Sequence, residues 1–182
     1  MLGTSGNLSI LIENEPIQFL ITASGKDKGE LTKDDFLLVD ENGKLIIIND
    51  ALSTHLQPSA ETLLHSTAYK HTQARVVFHV HTTNSTLLSM YSNLEFSNLE
   101  MLKGLGFKTH DVKVIIPVIE NSQDMQYLVN ILPSYISEDV PGFILKGHGL
   151  YAWGKTVQEA KRHVEIFEFL FDYKVKELSL KN

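Results

Sequence analysis

The chain contains no cysteine among its 182 residues. This absence excludes disulfide bonds, thiolate nucleophiles and zinc sites built from cysteine sulfur, and it favours a cytoplasmic location. Long apolar runs are also absent: the longest, such as 45–48, fall far short of the roughly 20 residues that span a bilayer. An excess of positive charge is missing too, because the formal net charge is −6. That balance argues against nucleic acid as a partner.

What remains is the composition of an ordinary globular domain. Hydrophobic residues make up 43% of the chain and charged residues 21%, close to the averages for globular proteins. A chain of this length buries a sizeable core without disulfides, so we expect a single domain over residues 1–182. The chain opens directly on a Gly/Ser/Thr loop, as if in the interior of a domain. We therefore also expect that an N-terminal helix is missing.

The spacing of apolar residues predicts strands in the first half and alternating helices and strands in the second. Two hairpins are expected, 7–13 with 17–22 and 36–40 with 44–49, the latter around an Asn-Gly turn. Further along, helices are predicted at 59–73, 83–91, 125–132 and 156–178. Strands are predicted at 75–81, at 112–119 with a break at Pro117, and at 142–145. This order indicates an α/β sandwich in which helices cover a mostly antiparallel central sheet.

Two histidines, His79 and His81, stand two residues apart within an apolar stretch. In a strand both imidazoles project from the same face, and a shared metal ion is the simplest reason to bury them together. A third histidine, His148, lies between glycines after a short apolar strand. Three protein ligands with one open position are typical of catalytic zinc. The alternative interpretation is a pair of unrelated histidines on a polar face and a histidine in a turn.

Two loops rich in glycine and hydroxyl side chains, 3–7 and 22–26, suit an anion such as a phosphate. Backbone N–H groups, hydroxyls and one lysine supply the donors. The same residue types dominate ordinary β-turns, so each loop alone is weak evidence. Beside a metal site, the two loops together indicate a phosphorylated substrate. The candidate phosphate ligands in these loops are Thr4, Gly6, Asn7, Ser24, Gly25 and Lys26.

Two glutamates are candidates for a general acid/base near the metal. Glu61 falls in the first turn of a predicted helix, where the helix dipole already gives an acidic residue a structural role. Glu100 lies on a short apolar segment and is less easily explained by solvation. The other histidines have no comparable context, and most are expected to be surface or packing residues: His55, His65, His71, His110 and His163.

These motifs, in this order, resemble the class II aldolase/adducin family over essentially the whole chain. Residues 3–7 match its Gly-Thr-x-Gly-Asn phosphate loop, residues 24–25 its second loop, and residues 58–61 its Pro-Ser-x-Glu motif. The last match adds Ser59 to the expected substrate ligands. The family's zinc histidines match His79, His81 and His148. The family usually has a helix before the first loop, which agrees with the expectation that such a helix is missing here.

Within the family, three segments resemble the branch that dehydrates 5-methylthioribulose 1-phosphate in methionine salvage: 22–29, 100–104 and 116–121. The resemblance implies a hydro-lyase that forms a 2,3-diketone phosphate, with one zinc ion per subunit and no nucleic-acid or membrane partner. It also implies a homotetramer with active sites between subunits. The acid/base of the dehydratases matches Glu100 and that of the aldolases matches Glu61, and we expect Glu100 to fill this role.

Two other functions stay open at this point. A sugar-phosphate aldolase or 4-epimerase would use the same zinc-stabilised enediolate, so metal ligation alone does not separate it from a dehydratase. A non-enzymatic module, as in adducin-type domains that keep the fold and lose the metal, is the third alternative. The presence of all three histidines argues against such a module.

Overall fold

The structure is a computed structural model that describes residues 5–46, 56–91 and 94–181. Its strands are β1 (Asn7–Asn14), β2 (Ile17–Thr22), β3 (Phe36–Asp40), β4 (Val76–Val80), β5 (Leu94–Phe96), β6 (Val114–Ile116), β7 (Val118–Ile119), β8 (Gly142–Leu145) and β9 (Gly149–Gly154). Seven strands form one sheet in the order β3-β2-β1-β4-β9-β8-β7, and β5 pairs with β6 separately. Neighbours in the large sheet are antiparallel except β7 and β8. The expected α/β fold with a mostly antiparallel sheet is therefore confirmed.

Helices cover both faces of this sheet. Among the described residues the α-helices are α1 (Thr62–His71), α2 (Thr83–Leu88), α3 (Met125–Ile131) and α4 (Val157–Leu180). Short 3-10 helices are found at Lys33–Asp35, Glu100–Leu105 and Leu132–Ser134. The hydroxyl of Thr156 accepts a hydrogen bond from the backbone N–H of Glu159, which caps the N-terminus of α4. No helix in the described ranges is long and apolar enough to cross a membrane.

Strand side chains alternate between two core layers because successive residues point to opposite faces of a sheet. On β9, Tyr151 and Trp153 pack in the layer formed with α1 and α3, whereas Leu150 and Ala152 pack in the layer formed with α4. On β4, Val77 belongs to the first of these layers. His79, two residues further along β4, therefore faces the same side as α1.

Most predicted elements are present, with their ends moved by a few residues. The first predicted hairpin is confirmed as β1 and β2. In the second, β3 is present and Val39 bridges Leu45, while residues 47–49 lie outside the described part of the chain. The predicted break at Pro117 is confirmed, because the chain divides there into β6 and β7, and the structure adds that these two strands join different sheets.

Two strands, β5 and β9, were not predicted from the sequence. Every residue of β9 is buried, so its sequence shows none of the apolar and polar alternation that identifies a half-exposed strand. β5 has only three residues, which is too short for a periodic pattern to emerge.

Candidate active site

The three histidines predicted as metal ligands lie together at one end of the sheet. His79 lies near the end of β4, His81 follows that strand directly, and His148 occupies the turn between β8 and β9. Because β4 and β9 pair with His79 opposite Tyr151, the turn that leads into β9 lies beside the end of β4. The register of the sheet thus brings His148 to the His-x-His pair.

A glycine allows this close approach. A Cβ atom added to Gly149 would lie 2.5 Å from the carbonyl oxygen of Val80, 3.0 Å from Cδ2 of His81 and 3.1 Å from Cε1 of His79. The first of these distances is a steric clash with backbone that cannot move aside easily. Only glycine therefore fits at this position without shifting β9 away from the histidines.

The imidazole rings converge closely enough to share one ion. One ligating nitrogen from each ring lies within 4.8 Å of the others, and the Nε2 atoms of His79 and His81 are 2.8 Å apart. The centroid of the His148 ring lies 4.9 Å from that of His79 and 4.6 Å from that of His81. Within the described part of the chain, Nδ1 of His148 is buried and has no hydrogen-bond partner.

The protonation of His79 suits a metal ligand. Its Nδ1 lies 3.0 Å from the carbonyl oxygen of Leu150, which can only accept, so Nδ1 carries the proton and Nε2 presents a lone pair. Burial lowers the pKa of His79 to about 3, which keeps the ring neutral. Burial also lowers the pKa of His81. Neutral imidazoles fixed by a second hydrogen bond are the form in which histidine binds metals, so this donor set fits a metal ion.

Glu61 joins the histidine cluster directly. Its Oε1 lies 2.9 Å from Nε2 of His148, and its Oε2 lies 3.3 Å from Nε2 of His79. Burial raises the pKa of Glu61, but the interactions of its carboxylate with His148, with His79 and with the Asn7 amide outweigh it and lower that pKa to about 2. The carboxylate is therefore ionised at neutral pH, although only 16% of the side chain is exposed.

The two predicted phosphate loops meet at one cleft of about 500 Å³. Its walls include Gly6 and Asn7 from the first loop, Ser24 and Gly25 from the second, and Ser59, Glu61 and His81. Gly6 and Gly25 both have positive φ, at 79° and 74°, a conformation that favours glycine in each loop. The cleft therefore joins the candidate anion-binding groups to the candidate metal ligands. Thr4, which the sequence also proposes, lies outside the described residues.

The lysine at this cleft differs from the expected one. The ammonium group of Lys26 lies 2.8 Å from Oδ1 of Asp35 and does not line the cleft. Lys28 does line it, with Nζ 2.6 Å from the carbonyl oxygen of Lys26, and burial lowers its pKa. Lys28 is not among the site residues predicted from the sequence, although the alternation Lys-Asp-Lys after Gly25 is a signal that could have identified it.

A second cleft of about 740 Å³ opens on the other side of Glu61 and His148. Its polar wall comes from the loop at residues 121–123, and its apolar wall comes from Met125 and Leu128 of α3 and from Leu145 of β8. No expectation from the sequence pointed to this space, because its apolar wall is assembled from a helix and a strand whose contact only the fold reveals. The two clefts share the Glu61 carboxylate.

Glu100 lies away from these clefts within the described chain. It begins the 3-10 helix Glu100–Leu105, and 71% of its side chain is exposed. Its carboxylate contacts Nζ of Lys103 at 2.6 Å and Nδ1 of His110 at 3.7 Å. It lines neither the phosphate cleft nor the second cleft, so Glu100 and the three histidines are not brought together in a single chain.

The remaining histidines occupy varied settings. His71 and His110 are exposed, and His163 is buried with Nδ1 2.6 Å from the carbonyl oxygen of Trp153. His55 lies outside the described residues. His65 is completely buried and hydrogen-bonded on both ring nitrogens, which makes it more than a packing residue.

Two solved structures illustrate the fold that this chain shares with other proteins. An L-fuculose 1-phosphate aldolase superposes with a TM-score of 0.77 at 20% identity, covering 100% of this chain and 80% of the other. A sugar-phosphate aldolase from Thermotoga maritima gives a TM-score of 0.68 at 20% identity, covering 100% of this chain and 88% of the other. At these identities the likeness establishes the fold.

Relatives in sequence are considerably closer. A protein of Bacillus subtilis (strain 168) named methylthioribulose-1-phosphate dehydratase is 46% identical over 178 residues, or 95% of this chain and 83% of the relative. A protein of the same name from Geobacillus thermodenitrificans (strain NG80-2) is 44% identical over 181 residues, or 97% of this chain and 83% of the relative. The family model described as class II aldolase and adducin N-terminal domain matches residues 1–175. The chain therefore belongs to the class II aldolase and adducin family.

Proposed function

We propose that the chain is a hydro-lyase that removes water from 5-methylthioribulose 1-phosphate and yields 2,3-diketo-5-methylthiopentyl 1-phosphate. The observation that carries this proposal is the position of the histidine cluster and Glu61 between two clefts of different character. One cleft offers hydroxyls and backbone donors for a phosphate, and the other offers an apolar wall for a thioether. The names of relatives at 44–46% identity agree with this activity.

The phosphate of the substrate would bind at the first cleft. Gly6, Ser24, Gly25 and Ser59 would contribute backbone or side-chain donors there, and Lys28 would add a cation. Asn7 lines the same cleft with its amide hydrogen-bonded to Glu61 and Ser59. Such a combination of backbone N–H groups, hydroxyls and an ammonium group is suited to an anion. Thr4 stays in the proposal as a member of the first loop, whereas Lys26 is paired with Asp35 and Lys28 takes its place at the phosphate.

His79, His81 and His148 would hold one zinc ion per subunit. When bound, zinc supplies Lewis acidity that polarises a carbonyl and makes the neighbouring C–H more acidic. Three imidazoles in a partly open site match the ligand set of catalytic zinc. The hydrogen bond from Nδ1 of His79 to Leu150 holds that ring in the orientation required for ligation.

The reaction requires a group that takes the proton from C3 and assists the departure of the C4 hydroxyl as water. We assign this role to Glu100 and a supporting role at the histidines to Glu61. The Glu61 carboxylate contacts Nε2 of both His79 and His148, which suits it to orienting these rings rather than to taking up the C3 proton. Loss of the C3 proton and the C4 hydroxyl leaves an enol, which tautomerises to the diketone.

Glu100 can act in this way only from a neighbouring copy of the chain, because within its own chain it lines neither cleft. We therefore include a homotetramer with active sites between subunits in the proposal. The exposure of Glu100 and of the adjacent Lys103 agrees with a surface that another subunit would cover. A place in methionine salvage, and a cytoplasmic location for the enzyme, follow from the substrate.

An activity assay on 5-methylthioribulose 1-phosphate tests this proposal. We expect a diketone product, loss of activity after treatment with a metal chelator, and recovery when zinc is added back. Fuculose 1-phosphate is the matched control, because an aldolase would cleave it to an aldehyde. Aldehyde from either substrate, or turnover that survives full metal removal, would contradict the proposed dehydration at the histidine cluster.

A further inference from the structure

A chain of buried polar side chains runs from the Glu61 carboxylate into the core. It consists of Asn7, His65, Ser9 and Tyr69, all of which are 4% exposed or less. Nδ2 of Asn7 lies 2.6 Å from Oε2 of Glu61. The hydroxyl of Ser9 lies 2.6 Å from Nδ1 of His65 and 2.6 Å from Oη of Tyr69. Nε2 of His65 contacts Oδ1 of Asn7.

We propose that His65 is a positioning residue that fixes the orientation of the Asn7 amide and, through it, the Glu61 carboxylate at the candidate active site. Each hydrogen bond in the chain has one possible direction, so the orientation of Asn7 is determined by its buried partners. The expected effect of His65 on kcat rests on the proposed function, whereas the expected tautomer of His65 concerns the protein without substrate.

The direction of the bonds begins at Glu61. The amide N–H₂ of Asn7 donates to Oε2 of Glu61 at 2.6 Å and to Oγ of Ser59 at 2.9 Å. Oδ1 of Asn7 must then accept, and the only donor that reaches it among the described contacts is Nε2 of His65. His65 is therefore protonated on Nε2.

The hydrogen bond at Nδ1 of His65 also has a defined direction. Burial lowers the pKa of His65 to about 3, so the ring is neutral and carries a single proton. With that proton on Nε2, Nδ1 must accept from the Ser9 hydroxyl. The Ser9 oxygen in turn accepts from Tyr69, whose hydroxyl stays protonated because burial raises its pKa, and the backbone N–H of Val77 donates to Tyr69.

This arrangement has a consequence for the Asn7 side chain. A rotation of the amide by 180° would turn its oxygen toward the Glu61 carboxylate and its N–H₂ toward Nε2–H of His65, so both contacts would become repulsive. The buried ring prevents that rotation. Without His65, only Glu61 and Ser59 would orient the amide, and both of them also border the open phosphate cleft.

The tautomer of His65 can be measured directly. Nuclear magnetic resonance of zinc-loaded protein labelled with ¹⁵N-histidine distinguishes the two neutral tautomers through couplings between ring nitrogens and carbon-bound protons. The His65 signals are identified by their absence from the spectrum of His65→Gln. We expect the Nε2–H form between pH 6 and pH 8. An Nδ1–H form, or a charged ring, would overturn the proposal whether or not the enzyme has the proposed activity.

Two substitutions at the same position separate positioning from packing. His65→Leu removes both hydrogen bonds, whereas His65→Gln keeps one donor and one acceptor in a single planar amide. With equal zinc content we expect kcat of His65→Leu to fall about 10- to 100-fold, as is typical when a residue behind a metal or substrate ligand is lost. His65→Gln should recover most of that loss. His71→Leu, the same change at an exposed position of α1, is the control and should leave kcat unchanged.

Two results with the His65 variants would contradict the positioning role. If folded His65→Leu keeps kcat within about twofold of wild type, or if His65→Gln is as impaired as His65→Leu, the ring fills space and positions nothing. If His65→Leu does not fold, the comparison of His65→Gln with wild type and the tautomer measurement still decide. If the wild-type protein itself has no turnover on the substrate, the proposed function fails while the tautomer result continues to judge this inference.

Discussion

The two candidate carboxylates differ in the groups that surround them. Glu61 is mostly buried and receives hydrogen bonds from Asn7 and His148, which hold its charge and its orientation. Glu100 is mostly exposed and contacts one lysine and one histidine at the surface. A carboxylate held by several donors is well suited to orienting imidazoles, while an exposed one is accessible to a substrate bound by another subunit.

The first prediction compares glutamine variants of these two residues. Because general acid–base catalysis is worth about 10²–10⁴-fold, Glu100→Gln should lose that much kcat and keep its zinc. Glu61→Gln should show a smaller loss of kcat together with weaker zinc binding, since it removes the carboxylate that contacts His79 and His148. The measurements are kcat and zinc stoichiometry, with Glu95→Gln, another exposed glutamate, as the control. Near-normal turnover of Glu100→Gln would reverse the assignment.

A second prediction concerns the two lysines of the second loop. Lys28 lines the phosphate cleft, and Lys26 is paired with Asp35. A charged hydrogen bond to phosphate contributes about 1.5–3 kcal/mol, so Lys28→Met should raise KM about 10- to 100-fold. Lys26→Met should change KM by less than about threefold and leave Asp35 with a higher pKa, since Lys26 is the main cause of its low value. Initial rates over a range of substrate concentrations separate the two lysines.

At the scale of elements, the contact between β4 and β9 is what assembles the histidine cluster. Gly149→Ala would introduce a clash of 2.5 Å with the backbone of Val80, and Gly154→Ala would introduce one of 2.6 Å with the backbone of Ala160. Both substitutions should therefore lower Tm. Only Gly149→Ala should also weaken zinc binding, by about tenfold or more, because it alone separates β9 from the histidines. Equal zinc affinity in the two folded variants would contradict this dependence on strand contact.

Helix α3 supports a prediction about specificity, because Met125 is part of the apolar wall of the second cleft. If that wall receives the methylthio group, its burial contributes about 1–2 kcal/mol. Met125→Asn should then raise KM for 5-methylthioribulose 1-phosphate about tenfold and change KM for ribulose 1-phosphate far less. Tyr127→Asn, an exposed position on the same helix, is the control. An equal effect on both substrates would show that the wall does not receive the thioether.

The sequence predicted those parts of the site that are local in the chain. His79 and His81 lie on one strand, and the loops at 3–7 and 22–26 carry their own turn chemistry, so spacing alone identifies them. The contacts of Lys28, His65 and Met125 depend on which elements pack together, and that information is spread across the fold. The strand β9 was missed for a related reason, since a strand buried on both faces shows no alternation.

At the scale of the whole molecule, the proposed acid/base and the proposed metal ligands belong to one site only if separate copies of the chain meet. In a closed ring of four subunits, each interface repeats the same pair of surfaces. Every site would then combine the histidines of one subunit with Glu100 of the next. The assembly itself is checked first, by measuring the mass in solution.

The last prediction tests such sharing by mixing inactive variants. Glu100→Gln and His148→Ala should each be inactive as pure oligomers. After dissociation and reassembly at equal amounts, about a quarter of the shared sites should pair intact histidines with an intact Glu100, and about a quarter of wild-type activity should return. If instead each site takes both groups from one chain, every site in the mixture carries a defect and no activity returns. A reassembled wild-type sample, treated identically, supplies the reference rate.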